Sequence, residues 1–264
     1  MRFLIVIMLL CSTVVYGQKK RDKDKDKKAT EAAPVQQPAQ TPAEQPAATE
    51  KPDSTKRPVT AGMILSEHFY RKYAAAMRWN DVETAKSAMY DLIVENPQND
   101  SLIYTLGYYY YEEEKFASSL LIAQDLLTID PKNMAYLEMA GTSAQMLGVN
   151  DRALTYFESL YLINDATRTL YSIAFIQYTL KRYAECATSI NIILTKPDVD
   201  KEKVVFADAK GVDKQYPLKV SILNLKGLLA LDQGDKVNAK KAFTEALAIS
   251  PDFFPAKTNL EKTK

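Results

Sequence analysis

Histidine and cysteine are scarce in this chain: its 264 residues include one histidine and two cysteines. Metal sites are built from clustered His, Cys and carboxylate ligands, so a histidine-based site at His68 is excluded. Cys11 lies in an apolar N-terminal segment, and its removal with that segment would leave Cys186 without a disulfide partner. Because Cys186 falls within an apolar helical pattern, we expect a small buried side chain rather than a reactive thiol.

Motifs for catalysis or phosphate binding are missing as well. Neither G-x-G-x-x-G nor G-x-x-x-x-G-K occurs. A nucleophile activated by histidine would have to use His68, and nothing in the sequence points to such a nucleophile. The acidic run 112–114 falls at an expected helix turn, where charged side chains are ordinarily solvated. The sequence therefore predicts a non-enzymatic protein with no cofactor and no metal.

Neither sign of charge dominates, since the formal net charge is +1. Domains that bind nucleic acid carry a basic patch or stripe, whereas the chain after Thr60 holds slightly more acidic than basic residues. A DNA or RNA partner is therefore not expected. Aromatic residues are absent between Tyr16 and Phe69 and dense afterwards, which indicates an unstructured leader followed by a packed body.

Residues 1–17 resemble a secretory signal peptide. An apolar run from Phe3 to Leu10 follows one basic residue, and the segment ends with small or branched residues at positions 15 and 17. The run is too short to span a bilayer, which needs about 20 apolar residues. We expect cleavage near Gly17-Gln18 and a periplasmic or secreted protein of the cell envelope.

Two alternatives for this leader stay open. Cys11 could serve as the site of lipidation, or the leader could be retained. The sequence KKRDKDKDKK at residues 19–28 places positive charge directly after the apolar run, and positive charge in that position disfavours export. Export is still the better interpretation.

Residues 18–60 are predicted to be a disordered linker. Residues 19–28 are rich in Lys and Asp, and residues 29–60 are rich in Pro, Ala and Gln. Such a segment cannot bury enough apolar surface to offset the entropy of ordering it. We expect a spacer; the alternative is a peripheral association of residues 19–28 with an anionic membrane surface or cell-wall polymer.

The body is organised around the stretch 101–133. Its apolar residues fall at helical spacing, break near residues 112–115, resume, and stop at Asp130-Pro131. This pattern predicts two amphipathic helices joined by a tight turn, about 34 residues in all. Similar copies precede and follow it, with a small residue near the middle of the first helix at Gly107, Gly141, Ala174 and Gly227.

The period, the small residue and the closing proline together resemble the tetratricopeptide repeat family, across about residues 67–253. Departures are Lys72 and Lys226 at a usually apolar position, and Tyr73 in place of the first small residue. The resemblance implies an all-α fold, a solenoid of about five tandem helix-turn-helix units. The expected units are about 66–98, 100–133, 134–166, 167–198 and 220–253, within a superhelical domain spanning 61–264.

Two further segments complete the predicted domain. Residues 199–219 form an insertion that resembles a small β-hairpin, and its role stays open between a decorated loop and a binding loop. Residues 254–264 are expected to form a polar cap that ends the stack.

The resemblance also implies a binding surface, because in this family the first helices of successive units line a concave groove. The groove positions carried onto this chain are Tyr70, Ala74, Met77, Tyr104, Tyr108, Tyr111, Glu138, Thr142, Gln145, Tyr171, Phe175, Tyr178, Asn224, Leu228 and Leu231. The aromatic ones are the candidate partner-binding residues: Tyr70, Tyr104, Tyr108, Tyr111, Tyr171, Phe175 and Tyr178. Lys and Asn, which hold a C-terminal carboxylate in some family members, are replaced here by tyrosine and alanine, so that type of clamp is not supported.

Three functions fit the sequence. The first is a protein–protein interaction scaffold or adaptor of the cell envelope, which binds a peptide or protein segment in the tyrosine-rich groove. The alternatives are a carbohydrate or cell-wall-polymer binding module, whose aromatic rings would stack on sugars, and a subunit of an outer-membrane assembly complex.

Overall fold

The computed structural model describes residues 60–264. The predicted leader, and the predicted linker up to residue 59, lie outside this range. Within it the chain forms eleven helices and one two-stranded sheet. The helices are α1 (Ala61–Arg78), α2 (Val82–Glu95), α3 (Asp100–Glu112), α4 (Phe116–Ile129), α5 (Met134–Met146), α6 (Asn150–Asn164), α7 (Thr167–Thr179), α8 (Tyr183–Thr195), α9 (Leu218–Asp232), α10 (Lys236–Ile249) and α11 (Phe254–Glu261), and the strands are β1 (Lys203–Ala207) and β2 (Asp213–Pro217).

The helices pair into five successive hairpins. We call α1, α3, α5, α7 and α9 the first helices, and α2, α4, α6, α8 and α10 the second helices. Each first helix packs against the second helix that follows it, and each hairpin packs against the next. The predicted all-α array of about five helical hairpins, with a small β-hairpin before the last unit, is confirmed.

The turn inside every unit has the same backbone geometry. One residue adopts a positive φ, with values of 56° at Asn80, 58° at Glu114, 74° at Gly148, 59° at Lys181 and 81° at Gly234. The following residue donates its N–H to the carbonyl oxygen five residues earlier, as Lys115 does to Tyr110 at 2.8 Å. This bond and the left-handed residue define a Schellman C-cap. Two of the five turns thus use the glycine that favours this conformation, and three do not.

Small residues allow the two helices of a unit to approach closely. A Cβ added to Gly227 would lie 2.4 Å from the ring of Phe243 on the second helix of its unit. At Gly141 the corresponding distance, to Phe157, is 3.1 Å. Each glycine therefore makes room for an aromatic ring of its own unit.

Side-chain caps begin several helices. Asn99 accepts a hydrogen bond from the N–H of Leu102 at the start of α3, and Asn133 does the same for α5. Asp81 and Asp235 cap α2 and α10 in the same way. Because such caps satisfy N–H groups without a partner inside the helix, they fix where these helices begin.

Most of the buried apolar side chains fall into two clusters. One runs from Leu120 in α4 to Leu229 in α9. The other surrounds Phe243 and Phe253 in the last unit. Among the described residues, the buried side chains of the first unit, such as Met89, belong to neither cluster. The first unit is therefore the one least connected to the common core.

The insertion packs between the fourth and fifth units. Its strands are antiparallel, with Val204 opposite Tyr216, and both of these side chains are buried. The rings of Phe206 and Tyr216 meet Phe253 at centroid distances of 5.2 and 4.9 Å. The guanidinium of Arg168 on α7 donates to Glu202 at 3.0 Å and to the carbonyl oxygen of Lys203 at 2.7 Å. The hairpin thus bridges two units and contributes to the core.

Candidate functional site

The candidate site is the surface of the fifteen groove positions, which we call the first-helix face. Three of its aromatic side chains are open to solvent: Tyr70 on α1 is 44% exposed, Tyr108 on α3 is 47% exposed and Phe175 on α7 is 38% exposed. An aromatic ring left this exposed has apolar area that a partner can still bury.

Tyr104 and Tyr111 lie on the same helix and are half-buried. The ring of Tyr104 lies 5.7 Å from that of Tyr136 on α5, and the ring of Tyr111 lies 5.4 Å from that of Phe116 on α4. Part of each ring therefore packs within the array, and part faces outward.

Tyr171 does not lie on the open groove surface, where the sequence predicted it. It is 4% exposed, and its hydroxyl shares a hydrogen bond of 2.6 Å with Ser221 on α9. Burial raises its pKa far above the ordinary range. Arg168, one turn earlier, holds the insertion beside this part of α7. Tyr171 thus joins two units and is closed to a partner.

Tyr178 also binds the following unit. Its hydroxyl donates to the carboxylate of Asp232 at the end of α9, at 2.8 Å, and its ring lies 6.3 Å from that of Tyr183. Burial, followed by the hydrogen bond to Asp232, raises its pKa strongly. In the last unit Asn224 is buried and bonded to Asn259 of α11 at 3.1 Å. The open part of the face therefore extends from α1 to α7.

Charge on the first-helix face is sparse and acidic. Glu138 is its one charged residue, and none of the fifteen positions is Lys or Arg. Although Glu138 reaches solvent, the surrounding protein displaces much of its water and raises its pKa, with a smaller opposite effect from Arg168. Burial, and secondly the charge of Glu138, raise the pKa of Tyr104. The two side chains therefore lie within electrostatic range of one another.

Sequence reasoning missed the polar contacts between the first two units. The hydroxyls of Tyr73 and Tyr109 lie 3.1 Å apart, and those of Tyr90 and Tyr110 lie 2.7 Å apart. Tyr73 replaces a small residue of the repeat pattern. Its side chain is long enough for the hydroxyl to reach the next unit. The departure from the pattern was the available signal.

A buried lysine was missed in the same region. Lys86 on α2 is 5% exposed and donates to Glu83 at 2.7 Å and to Glu113 at 2.6 Å. Burial alone would lower its pKa, but the hydrogen bonds to the two carboxylates outweigh that effect and raise it. The hydrogen bond from Lys86 lowers the pKa of Glu113, and a second one from Lys115 adds to this effect. The sequence pattern around Lys86 did not distinguish it from a surface lysine.

A cleft separates the second helices of the last two units. It has a volume of about 380 Å³ and is lined by α8, α9 and α10, with Ile190, Leu229, Lys226 and Lys241 among its walls. Lys226 is one of the two lysines at a position that is usually apolar in the repeat. Lys226 is exposed and lines this cleft.

Other chemistry-bearing groups do not assemble into a site in the described part of the chain. Cys186 is a buried free thiol, and burial raises its pKa to about 12. Between residues 60 and 264 no cluster of His, Cys, Asp and Glu could hold a metal ion. Over the same residues, no helix combines the length and the apolar character that crossing a membrane requires.

Comparison with known proteins agrees with this geometry. Residues 220–253, which include most of α9 and all of α10, match the tetratricopeptide repeat. No match by sequence is found among proteins of curated function. The last unit is therefore a tetratricopeptide repeat by its sequence, and the resemblance inferred for the whole body rests on the fold.

Solved structures with a similar fold supply the evidence for the whole body. YrrB, described as a TPR protein with an unusual peptide-binding site, is 13% identical with a TM-score of 0.60, covering 76% of this chain and 98% of YrrB. MamA from Desulfovibrio magneticus RS-1 (residues 41 to the end) is 11% identical with a TM-score of 0.57, covering 71% and 96%. Another MamA structure gives 12% and 0.56, covering 71% and 92%. The described body has the tetratricopeptide repeat fold, as predicted.

Proposed function

We propose that this protein is a non-enzymatic interaction scaffold of the cell envelope, which binds a peptide or protein segment on its first-helix face. The observation that carries the proposal is the set of exposed rings at Tyr70, Tyr108 and Phe175 on three first helices. Tetratricopeptide arrays stack their units into extended surfaces suited to binding, and YrrB is described as having a peptide-binding site.

Exposure and packing support a smaller set of residues that would contact the segment. Tyr108 and Phe175 offer aromatic area at little cost in side-chain entropy, as is typical of residues that anchor interfaces. Tyr104 and Tyr111 would contribute their outward edges. Tyr171 and Tyr178 instead hold successive units together, so they set the spacing of the surface and do not form it.

Export to the envelope is the second part of the proposal. It rests on residues 1–17 and their likeness to a secretory signal peptide. Cell fractionation of the full chain tests it, with N-terminal sequencing of the mature protein. A mature protein that begins at Gln18 in the periplasm or medium supports the proposal. Full-length protein in the cytoplasm contradicts this part and leaves the binding surface unaffected.

Crosslinking in cells followed by affinity capture tests the binding surface. The full chain is compared with Tyr108→Ser/Phe175→Ser, and the matched control is Leu162→Ser, since Leu162 on the second helix α6 is 87% exposed. We expect the double variant to lose its captured proteins and the control to retain them. Equal capture by all three proteins would show that binding uses another surface.

A further inference from the structure

The sign of the charge on the first-helix face indicates which kind of segment it accepts. A groove that receives a carboxylate needs cationic side chains, and none of the fifteen positions carries one. The nearby cation that acts on Glu138 is Arg168, and its guanidinium already donates to Glu202 and to the carbonyl oxygen of Lys203. The face therefore offers negative charge without a mobile counter-charge of its own.

The carboxylate of Glu138 has no hydrogen bond or ion pair with any residue between 60 and 264. Its backbone carbonyl accepts from the hydroxyl of Thr142 at 2.7 Å, but its side chain makes no such contact. Water is partly withdrawn from this carboxylate, as its raised pKa indicates. A carboxylate in that environment gains more from an incoming cation than a fully hydrated one does, because the pair interacts in a lower effective dielectric.

The surrounding rings favour the same kind of partner. The face of an aromatic ring carries negative electrostatic potential and attracts ammonium or guanidinium groups. This molecule already uses that contact elsewhere: Lys196 lies 5.3 Å from the ring centroid of Tyr161, and Lys86 lies 5.8 Å from that of Tyr110. Tyr104 lies within electrostatic range of Glu138, and Tyr108 follows one turn later on α3.

We propose that the first-helix face binds an extended basic segment of a partner protein, with a Lys or Arg of that segment paired to Glu138 and packed against Tyr104 and Tyr108. This inference rests on the proposed function and specifies its partner by charge. Complementary charge selects partners as well as holding them, so acidic segments are rejected by the same carboxylate.

Fluorescence anisotropy with the full chain tests this directly. The probes are three labelled twelve-residue Gly/Ser peptides that carry Lys, Glu or norleucine at the same three positions. We expect the Lys peptide to bind about tenfold more tightly than the Glu peptide. Glu138→Gln should remove that preference. Glu245→Gln, which removes a carboxylate from the second helix α10, should keep it.

The pH dependence provides a second measurement. Protonation of Glu138 removes its charge, so affinity for the Lys peptide should fall as pH falls through the raised pKa of this carboxyl. Glu138→Gln should show no such fall. The variant should fold at least as well as the parent, because it removes a charge that is partly desolvated. Loss of binding by this variant is then not a folding defect.

Four outcomes overturn the inference: no binding of the Lys peptide, no preference between the peptides, a preference for Glu, or an unchanged preference in Glu138→Gln. If cellular capture still depends on Tyr108 and Phe175 in those cases, the proposed function survives with a partner of another charge.

Replacing the basic residues of 19–28 by Ser tests whether the chain's own segment occupies the face. This change could raise the affinity for the Lys peptide, and the rise could disappear when Glu138→Gln is added. That pair of results would show that the chain's own segment occupies the face, and it would overturn the binding of a separate partner.

Discussion

The first unit and the last unit are joined to the array in different ways. Between the first two units the contacts are polar: hydroxyl pairs from tyrosines, and Lys86 bridging to Glu113 at 2.6 Å. Between the fourth and fifth units, hydrogen bonds such as that of Tyr171 with Ser221 are joined by apolar packing, because Phe206 and Tyr216 of the insertion pack on Phe253. The repeats follow one sequence pattern, yet their junctions follow two kinds of chemistry.

This difference matters because each unit of such an array is stabilised chiefly by its neighbours. Apolar burial is non-directional and tolerates small shifts, whereas a hydroxyl pair or buried ion pair holds one geometry and costs energy when it is broken. We therefore expect the first unit to open locally before the last one. The exposed ring of Tyr70 lies in the first unit, so part of the proposed binding surface belongs to the unit that we expect to open first.

The largest expected effect is on the apolar junction. Phe253→Ala should lower the stability of the last unit by about 3–5 kcal/mol, because it removes a fully buried ring from contact with two others. Urea unfolding followed by circular dichroism measures it. The matched control is Phe254→Ala, whose ring is 42% exposed and whose loss should cost under about 1 kcal/mol. Equal losses would show that the insertion is not anchored through Phe253.

Breaking the ion pair of the polar junction should have the next largest effect. Glu113→Ala should lower the free energy of unfolding by about 2 kcal/mol. This is less than the usual loss when a buried ion pair loses one partner, because Glu83 still binds Lys86. Hydrogen exchange should show faster opening confined to α1 and α2. Lys86→Met should be close to neutral, because it removes the buried charge together with the pair. A loss from Lys86→Met equal to that from Glu113→Ala would contradict this account.

Acid should weaken the polar junction. The pKa of Glu113 is lowered in the folded protein by its bonds to Lys86 and then Lys115. Its contribution is therefore complete above its ordinary pKa and is lost as pH falls toward the lowered value. Hydrogen exchange at matched intrinsic rates should show opening of the first unit increasing below about pH 5. In Lys86→Met this pH dependence should be reduced; if it is unchanged, other carboxyls are responsible.

The smallest effect should come from the turns. Glu114 adopts a φ of 58°, where a side chain is strained, so Glu114→Gly should raise stability by up to about 1 kcal/mol. Gly234→Ala, at the equivalent turn of the last unit with a φ of 81°, should lower it by a similar amount. The unfolding midpoint in urea measures both. Shifts of the same sign would mean that backbone strain does not control these turns.

Much of the fold could be predicted from sequence because its information is local. Helical periodicity located the hairpins, and Gly141 and Gly227 marked close contacts within one unit. The hairpin before the last unit was also visible as two apolar runs around a turn. The candidate face was predictable only as a set of positions. Which of its rings would stay open depended on neighbours in the next unit, as far as 54 residues away along the chain for Tyr178 and Asp232.

Three features show where sequence reasoning stopped. Tyr171 occupies a groove position but is 4% exposed, because α9 brings Ser221 to its hydroxyl. Lys86 resembles a surface lysine, yet Glu113 lies across a unit boundary to pair with it. The sequence indicated a hairpin in the insertion but not what it packs on, and Val204 and Tyr216 are buried. Each outcome depends on contacts between different units.

The sequence by itself determined the repeating hairpins, the small residues that let their helices approach, and the sparse acidic charge of the first-helix face. These follow from spacing within one unit and from residue type alone. The tertiary structure decided which tyrosines join units, which face outward, and how the insertion links the last two units. The physical reason is that burial and pairing depend on atoms brought together by stacking, which no single repeat contains.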